Sequence, residues 1–238
     1  ELWAATTGKV TSVKIALWAK DGVEGATSVE VTLADGDTVN LTEKGGYTAG
    51  TASLKDGVLS LNKVTYDTAS YSECYVEPNG AVKVVISGGE FRGRFNNSET
   101  TVTGSYVKGE TTYKLYKTDA HILLTSDDGS VFYGLGGNAL STHGAIVVYG
   151  NVGFNVDTGT GYDGIITRPG TSEWINTYAT GNAIILAPGV DSVIKGSGGG
   201  ALIDSRNGDI VFAGKATITL NHSTTTGSKY AVDITTAA

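Results

Sequence analysis

The sequence predicts an all-β fold and, within that class, a parallel β-helix, or β-solenoid. Three features support this prediction: abundant glycine, short stretches in which apolar and polar residues alternate, and a regular spacing between apolar stretches. The chain of 238 residues contains 34 glycines, about twice the usual share of ~7%, and only three prolines. Glycine at this density, with many β-branched and tyrosine residues, indicates many short strands joined by turns.

In the N-terminal half, alternation of apolar and polar residues predicts strands rather than helices. Val13, Ile15 and Leu17 fall on one face of a first strand, because a period of two describes this segment better than 3.6. A turn is predicted at 34–37, and a type I turn at 77–80, with proline in its second position. The other strands predicted by alternation in this half are 28–33, 57–61 and 81–86.

In the C-terminal half, short apolar stretches recur at a regular interval. Ile184, Val193, Leu202 and Val211 stand nine residues apart, with glycine, serine, asparagine or aspartate between them. Three such steps give a 27-residue period, which aligns Ile184 with Val211 and is typical of stacked repeats. We therefore predict parallel strands, three per turn, with these four side chains pointing into one core. The strands predicted here are 145–149, 183–186, 192–194, 201–203, 210–212, 217–220 and 230–234.

The two halves differ in composition, which predicts a division near residue 120. Residues 1–120 carry 12 basic and 15 acidic residues, whereas residues 121–238 carry 5 and 9. We expect an irregular β region at 1–120, formed either by N-terminal coils or by a capping domain, and the β-solenoid at 121–238. A β-sandwich or mixed β fold also has strands at this spacing, although it prefers longer strands joined by tight hairpins. That alternative stays open at this point.

Charge and cysteine content exclude several classes of protein. The net charge of −7 argues against nucleic-acid binding, which needs a basic face. Cys74 is the only cysteine, so neither an intrachain disulfide nor a cysteine-based zinc site can form. No run of ~18 apolar residues is present, so no transmembrane helix is predicted. The chain ends directly after a predicted strand, which favours a fragment of a longer solenoid.

No catalytic, cofactor or metal-binding motif is present, so we predict neither an enzyme nor a cofactor. His121, His143 and His222 lie far apart and are interpreted as turn or surface residues. No Gly-x-Ser-x-Gly sequence occurs, which excludes the usual nucleophile elbow of serine hydrolases. The turns at 35–37 and 127–129 each gather two carboxylates, but Ca²⁺ needs six to eight oxygens.

One pair of acids leaves a carbohydrate-active enzyme as the alternative. Asp204 and Asp233 occupy similar positions in successive predicted turns, where two carboxylates stack. Stacked like charges raise one pKa, which suits acid and base roles in glycoside cleavage. Solvation of solenoid corners accounts for the same residues equally well.

The segment 157–181 interrupts the rhythm of short strands and is long for a solenoid corner. It contains the candidate binding residues Tyr162, Arg168, Trp174 and Tyr178. Aromatic rings and an arginine on a projecting loop offer a large contact area with few rotatable bonds. The alternative is that Trp174 fills the hydrophobic core.

Part of the chain resembles a known family in the style of its repeats. The stretch 208–221, Gly-Asp-Ile-Val-Phe-Ala-Gly-Lys-Ala-Thr-Ile-Thr-Leu-Asn, and the later 230–234 resemble repeats of bacterial autotransporter adhesin passengers. The resemblance covers mainly residues 140–238. It implies a right-handed β-helix displayed outside the cell, with recognition by variable surfaces. Phage tail spikes and some secreted polysaccharide-degrading enzymes use similar repeats.

The resemblance and the loop together predict an extracellular bacterial adhesin fragment located at the cell surface. Its expected partners are a host-surface glycan or protein, or a neighbouring copy, with no nucleic acid and no membrane span. The alternatives are a β-helical carbohydrate-active enzyme, similar to a tail spike or a lyase, and a structural fibre segment.

Overall fold

The computed structural model describes the following residues: 12–18, 29–42, 44, 47–67, 75–79, 82–97, 101–117, 121–126, 131–135, 140–142, 144–150, 153–157, 165–167, 177–180, 183–188, 193–197, 203–206, 209–212, 217–221 and 232–235. Side chains are described at 12–17, 29–42, 44, 47–65, 78, 82–89, 95–97, 104–105, 107–112, 121–125, 140–142, 144–149 and 210–211. These residues form strands and turns, without a helix among them, so the predicted all-β class is confirmed.

The N-terminal strands pair in antiparallel fashion, as alternation and short turns favour. They are β1 Ser12–Trp18, β2 Val29–Ala34, β3 Thr38–Asn40, β4 Tyr47–Lys55, β5 Val58–Asp67 and β6 Tyr75–Asn79. β1 pairs with β2 on one side and with β6 on the other. β4 pairs with β3 and β5. The predicted turn at 34–37 is confirmed by the turn between β2 and β3.

Most of the strands from β5 onward build three parallel ladders. The first ladder stacks 58–62 of β5, β7 Lys83–Ser87, β11 Ile122–Ser126, β14 Ile146–Gly150, β18 Ala183–Pro188 and β21 Asp209–Phe212. The second stacks 65–67 of β5, the start of β8 Glu90–Asn97, β12 Val131–Leu135, β15 Gly153–Asp157, β19 Val193–Ser197 and β22 Thr217–Asn221. The third stacks the start of β6, the end of β8, β13 Leu140–Thr142, β16 Ile165–Thr167, β20 Ile203–Arg206 and β23 Val232–Thr235.

The chain visits these ladders in a fixed cyclic order. From β11 onward each successive ladder strand belongs to the first, second and third ladder in turn, and the cycle then repeats. The parallel strands predicted for the C-terminal half are therefore confirmed, in place of the antiparallel pairs of a sandwich. Parallel pairing is continuous across residue 120, because β7 pairs with β11. The division of the chain into two domains stays a prediction.

The hydrophobic core lies against the first ladder. Stacked register positions hold Leu59, Val84, Ile122 and Ile146, all with no exposed surface. A second buried column, two residues along each strand, holds Leu61, Ile86, Leu124 and Val148. Residues of the antiparallel strands, including Ile15 and Leu33, belong to the same hydrophobic cluster. The antiparallel strands and the ladders therefore share one core, and each fully buried aliphatic side chain contributes about 1.5–3 kcal/mol.

The antiparallel strands cover one end of two ladders. β4 lies against the outer edge of β5, the first strand of the first ladder, and β1 lies against β6, the first strand of the third. Covering these edges satisfies backbone groups that would otherwise pair with another chain. We call β1–β4 the cap.

A close backbone contact defines the corner between the first and second ladders. β5 bends at Lys63, whose φ is 49°, and the next strand passes the same corner at Gly88 and Gly89, with φ of 66° and 100°. A side chain at Gly89 would overlap the carbonyl oxygen of Val64, and one at Gly50 would overlap the Val64 backbone from the other side. Only glycine fits both the positive φ and the space at these positions.

One of the four side chains predicted to point into the core does not. Val211 was expected to point inward, but it is 43% exposed, whereas Ile210 packs against the core. The reason is a one-residue difference in register: β18 aligns Ile184 with Ile210, not with Val211, and a shift of one residue exchanges the two faces of a strand. The backbones around Ile184 and Val193 lie in parallel ladders as expected, and Leu202 lies outside the described residues.

The turn predicted at 77–80 is also wrong, because residues 77–79 belong to β6. Pro78 is buried and lies opposite Ile15 of β1. β8 pairs with β6 only at Tyr75 and Val76. Pro78 therefore lies beyond the described pairing with β8, at an edge position where the missing backbone donor is tolerated.

Candidate functional site

The structure places one of the four candidate binding residues, Tyr178, in a small sheet separate from the ladders. Tyr178 lies in β17 Thr177–Thr180, which runs parallel to β10 Thr111–Lys117 and sets Tyr178 opposite Leu115. β10 forms an antiparallel hairpin with β9 Thr101–Lys108. We call β9, β10 and β17 the lateral sheet. Tyr162, Arg168 and Trp174 lie outside the described residues, so their role in binding stays a prediction.

The lateral sheet is assembled from two insertions at equivalent corners of the fold. Residues 98–121 connect the third ladder to the first after β8, and residues 168–182 make the same connection after β16. Between them in the stack, β13 and β14 are joined by only 143–145. Pairing of β10 with β17 thus joins two insertions that are separated by a tight corner. The sequence indicated the second insertion only, and its partner was missed.

The β9–β10 hairpin has an exposed outer region. Gly109 in its turn has a φ of 63° with open space around it, and Val107 is 67% exposed. Thr112 lies opposite Val107 and is also exposed. Between Leu115 and Tyr116 the register shifts, which marks a β-bulge. A bulge increases strand twist and turns an edge away from flat pairing.

The sequence of this hairpin carries a local signal of its own. Tyr106 and Tyr113 are directly opposite each other in the hairpin. Between 101 and 117, three tyrosines occur near three lysines in an alternating polar and aromatic pattern, around a Gly-Glu turn. Such a pattern is typical of a two-stranded hairpin. Its tyrosines belong to the same lateral sheet as Tyr178.

A buried hydrogen-bond network supports the corner at which the insertions leave the ladders. His121 is 5% exposed, and its Nδ1 accepts a hydrogen bond of 2.9 Å from the backbone N–H of Ala145. The Thr142 hydroxyl donates to the carbonyl of Asn97 at 2.9 Å, and the Asn97 amide donates to the carbonyl of Val82 at 3.1 Å. These bonds link successive turns of the stack at one corner.

The interpretation of His121 as a surface residue is therefore wrong, although it does lie at a corner between strands. A histidine that accepts a hydrogen bond through Nδ1 carries no proton on that nitrogen. Here the Nδ1 atom satisfies the backbone N–H of Ala145, which would otherwise be buried without an acceptor. The sequence did not indicate this role, because the donor lies one turn of the stack away. His143 and His222 lie outside the described residues.

The carboxylates of the 35–37 turn are used within the fold. Asp37 accepts a hydrogen bond of 2.8 Å from the backbone N–H of Ala34, and Asp35 accepts one of 2.8 Å from the backbone N–H of Asp56. These bonds close the β2–β3 turn and attach it to the β4–β5 turn. No group of three or more His, Cys, Asp or Glu that could hold a metal occurs among the described residues. Asp127 and Asp128 lie outside them.

Asp204 and Asp233 are brought together by the third ladder. β20 and β23 pair in parallel with these two residues directly opposite each other. Neighbouring strands are about 4.8 Å apart, so the two backbone positions are adjacent in the ladder. The register confirms that the two residues are paired along the backbone. Stacking of their carboxylates stays a prediction.

No family model matches the chain, and no curated protein or solved structure is similar to it. Nothing in these comparisons indicates an enzymatic activity. Among the described residues, no helix has the length and apolar character needed to cross a membrane.

Proposed function

We propose that this chain is the exposed part of a bacterial surface adhesin, built on a right-handed parallel β-helix and located outside the cell. The scaffold is supported by the cyclic order in which the chain enters the three parallel ladders, since a helical winding is the simplest path that gives this order. A stack of parallel strands with short corners is a stiff support that holds an inserted segment away from the surface that displays it.

One observation carries the proposal for recognition: the pairing of β10 with β17. The segment that contains Tyr162, Arg168, Trp174 and Tyr178 is attached through β17 to the β9–β10 hairpin. A pairing of this kind orders at least one end of the segment. Ordering before binding lowers the entropic cost of recognition. The expected ligand is a host-surface glycan or protein. An arginine can donate two parallel hydrogen bonds to a carboxylate or sulfate group of such a ligand.

The test is attachment of the purified chain to host cells and to a glycan panel. We expect Trp174→Ala and Arg168→Ala to reduce attachment at least ~10-fold, equivalent to about 1.4 kcal/mol, with an unchanged thermal midpoint. Tyr149→Ala is the matched control, because Tyr149 is 62% exposed on the first ladder and outside both insertions. If Trp174→Ala instead lowers the free energy of unfolding by about 3–5 kcal/mol, the residue fills the core and the recognition proposal fails.

A carbohydrate-active enzyme is the second candidate, and the opposition of Asp204 and Asp233 favours it. Like charges on adjacent strands disfavour simultaneous ionisation, which is the condition for one acid and one base. The decisive measurement is release of reducing ends or unsaturated sugars from a panel of polysaccharides. Activity that is lost in both Asp204→Asn and Asp233→Asn would replace the adhesin proposal, whereas the absence of turnover supports it.

A further inference from the structure

The ring of His121 is held in one protonation state by the backbone of a neighbouring turn. His121 immediately precedes β11 and is 5% exposed, and its Nδ1 lies 2.9 Å from the backbone nitrogen of Ala145. A backbone N–H can only donate, so Nδ1 carries a lone pair and the proton of the neutral ring is on Nε2. The imidazolium ion carries protons on both nitrogens and cannot accept this bond. The corner is therefore built for the neutral form of the ring.

His121 connects three consecutive turns of the stack. Its carbonyl accepts a hydrogen bond of 2.8 Å from the backbone N–H of Val84 in β7, while its ring accepts the bond from Ala145, which immediately precedes β14. The carbonyl of Ala145 accepts in turn from the N–H of Ile122 at 2.9 Å. His121 is also the residue at which the insertion 98–121, which carries the β9–β10 hairpin, returns to the first ladder. A change in its ring therefore acts where that insertion is anchored.

The described surroundings of His121 disfavour a positive charge on the ring. Because Ile122 pairs with Val84, Lys83 occupies the register position next to His121 on β7, and it is likewise 5% exposed. On the β14 side lies Ala145, which is 2% exposed and has no charge. The strand that follows His121, with the sequence Ile-Leu-Leu-Thr-Ser, has no ionisable side chain. Burial and a neighbouring charge of the same sign both raise the free energy of a cation.

Other ionisable residues near His121 have side chains outside the described part of the structure. Lys117 and Asp119 precede it in the same insertion, and His143 lies between β13 and β14. Asp209 occupies the same column of the first ladder but lies three strands away. Among these residue types, only a histidine ordinarily changes charge between pH ~5 and pH ~8, so His143 needs a control of its own.

We propose that His121 is an acid-sensitive latch that anchors the β9–β10 insertion to the first ladder at neutral pH and releases it in mild acid. Protonation of Nδ1 removes the acceptor of the Ala145 N–H and sets two donors against each other in a buried corner. An opened corner takes up the proton near pH ~6.5, as a solvated histidine does, whereas the closed corner resists it. Acid therefore favours opening by up to about tenfold per pH unit. The latch does not depend on what the chain recognises.

The latch is testable by amide hydrogen exchange of the full chain, with rates corrected for the intrinsic effect of pH. We expect protection of the Ala145 amide to fall about 10-fold between pH ~6.5 and pH ~5.5, with a parallel fall across 101–117. The amide of Leu41 is the internal reference, because it donates to the carbonyl of Gly50 at 2.9 Å within the cap. Its protection should not change over the same range.

Two substitutions separate the contributions of the histidines. His121→Asn places an amide oxygen near the position of Nδ1, where it accepts from Ala145 at every pH, so the acid-dependent loss of protection should disappear. His143→Gln is the matched control and should leave that loss unchanged. Nitrogen NMR of the imidazole rings gives a measurement on the unmodified chain: at pH ~7.5 the Nδ1 of His121 should carry no proton. Its protonation should coincide with the loss of Ala145 protection.

Each outcome bears on the latch separately from adhesion. A proton on Nδ1 at pH ~7.5 overturns the proposal, and so does Ala145 protection that stays constant to pH ~5.5. Loss of the acid dependence in His143→Gln would assign it to the other histidine and reject His121. If Ala145 loses protection while 101–117 does not, the ring stabilises only its own corner and the anchoring of the insertion is rejected. Loss of host attachment in Trp174→Ala at neutral pH concerns only the proposed function.

Discussion

The cap and the parallel ladders are built from similar alternating strands, yet they are held in register in different ways. In the cap, β2 follows β1 and β4 follows β3 with direct antiparallel pairing, so partners are close in sequence. In the first ladder, Ile146 pairs with Ile184 and Ile184 with Ile210, at quite different separations in sequence. Antiparallel pairing of strands that follow each other determines register in the cap, whereas packing of strands that are distant in sequence determines it in the ladders.

The comparison predicts that substitutions at a ladder corner are far more damaging than substitutions at an exposed turn. Gly89→Ala should lower the free energy of unfolding by more than ~4 kcal/mol or prevent folding, because its Cβ would overlap the Val64 backbone. Gly109→Ala is the matched control: its φ is also positive, at 63°, but nothing lies within 4 Å, so about 1 kcal/mol is expected. Denaturant titration of both variants measures the difference. Equal losses would show that backbone conformation alone accounts for the effect.

Alkaline pH is expected to lower the free energy of unfolding by an intermediate amount, through a tyrosine at the boundary between the cap and the ladders. Tyr47 begins β4, and burial raises the pKa of its hydroxyl well above the ordinary value. Below pH ~10 the side chain is protonated in both states; above it, the unfolded chain loses the proton and the folded chain retains it. This residue therefore makes stability fall by up to about 1.4 kcal/mol per pH unit above pH ~10.

The contribution of Tyr47 is isolated by comparing variants. Tyr47→Phe should flatten the loss of stability between pH 10 and pH 12 in denaturant titrations, whereas Tyr149→Phe, at a residue 62% exposed, should leave it unchanged. An identical pH dependence in wild type and Tyr47→Phe would contradict the assignment.

The smallest effects belong to the exposed surface of the cap. Asp35→Ala removes the hydrogen bond to the Asp56 backbone, and we expect a loss of about 1 kcal/mol. Lys14→Ala breaks a 3.4 Å ion pair with Glu30 in which both side chains are about half exposed, so the change should stay within ~0.5 kcal/mol. Thermal melts in low and high salt distinguish the two substitutions, since salt should screen the ion pair of Lys14 but not the hydrogen bond of Asp35. A larger loss in Lys14→Ala than in Asp35→Ala would reverse this order.

The candidate site was only partly accessible from the sequence. The length and aromatic content of 157–181 indicated an insertion, and Tyr178 does lie in a strand outside the ladders. The partner of that strand, β10, could not be predicted, because its sequence separation from β17 follows no repeat. His121 illustrates the same limit, since the donor it satisfies, the N–H of Ala145, is identified only by the stacking of two corners.

The sequence by itself determined the all-β class and the approximate positions of about half of the strands, and it favoured parallel pairing of the C-terminal ones, because alternation, turn residues and regular spacing are local properties. Only the tertiary structure decided the register between turns of the stack, and with it which face of each strand is buried. Val211 is exposed and Ile210 packs against the core because a one-residue shift costs nothing in local preference but exchanges the two faces.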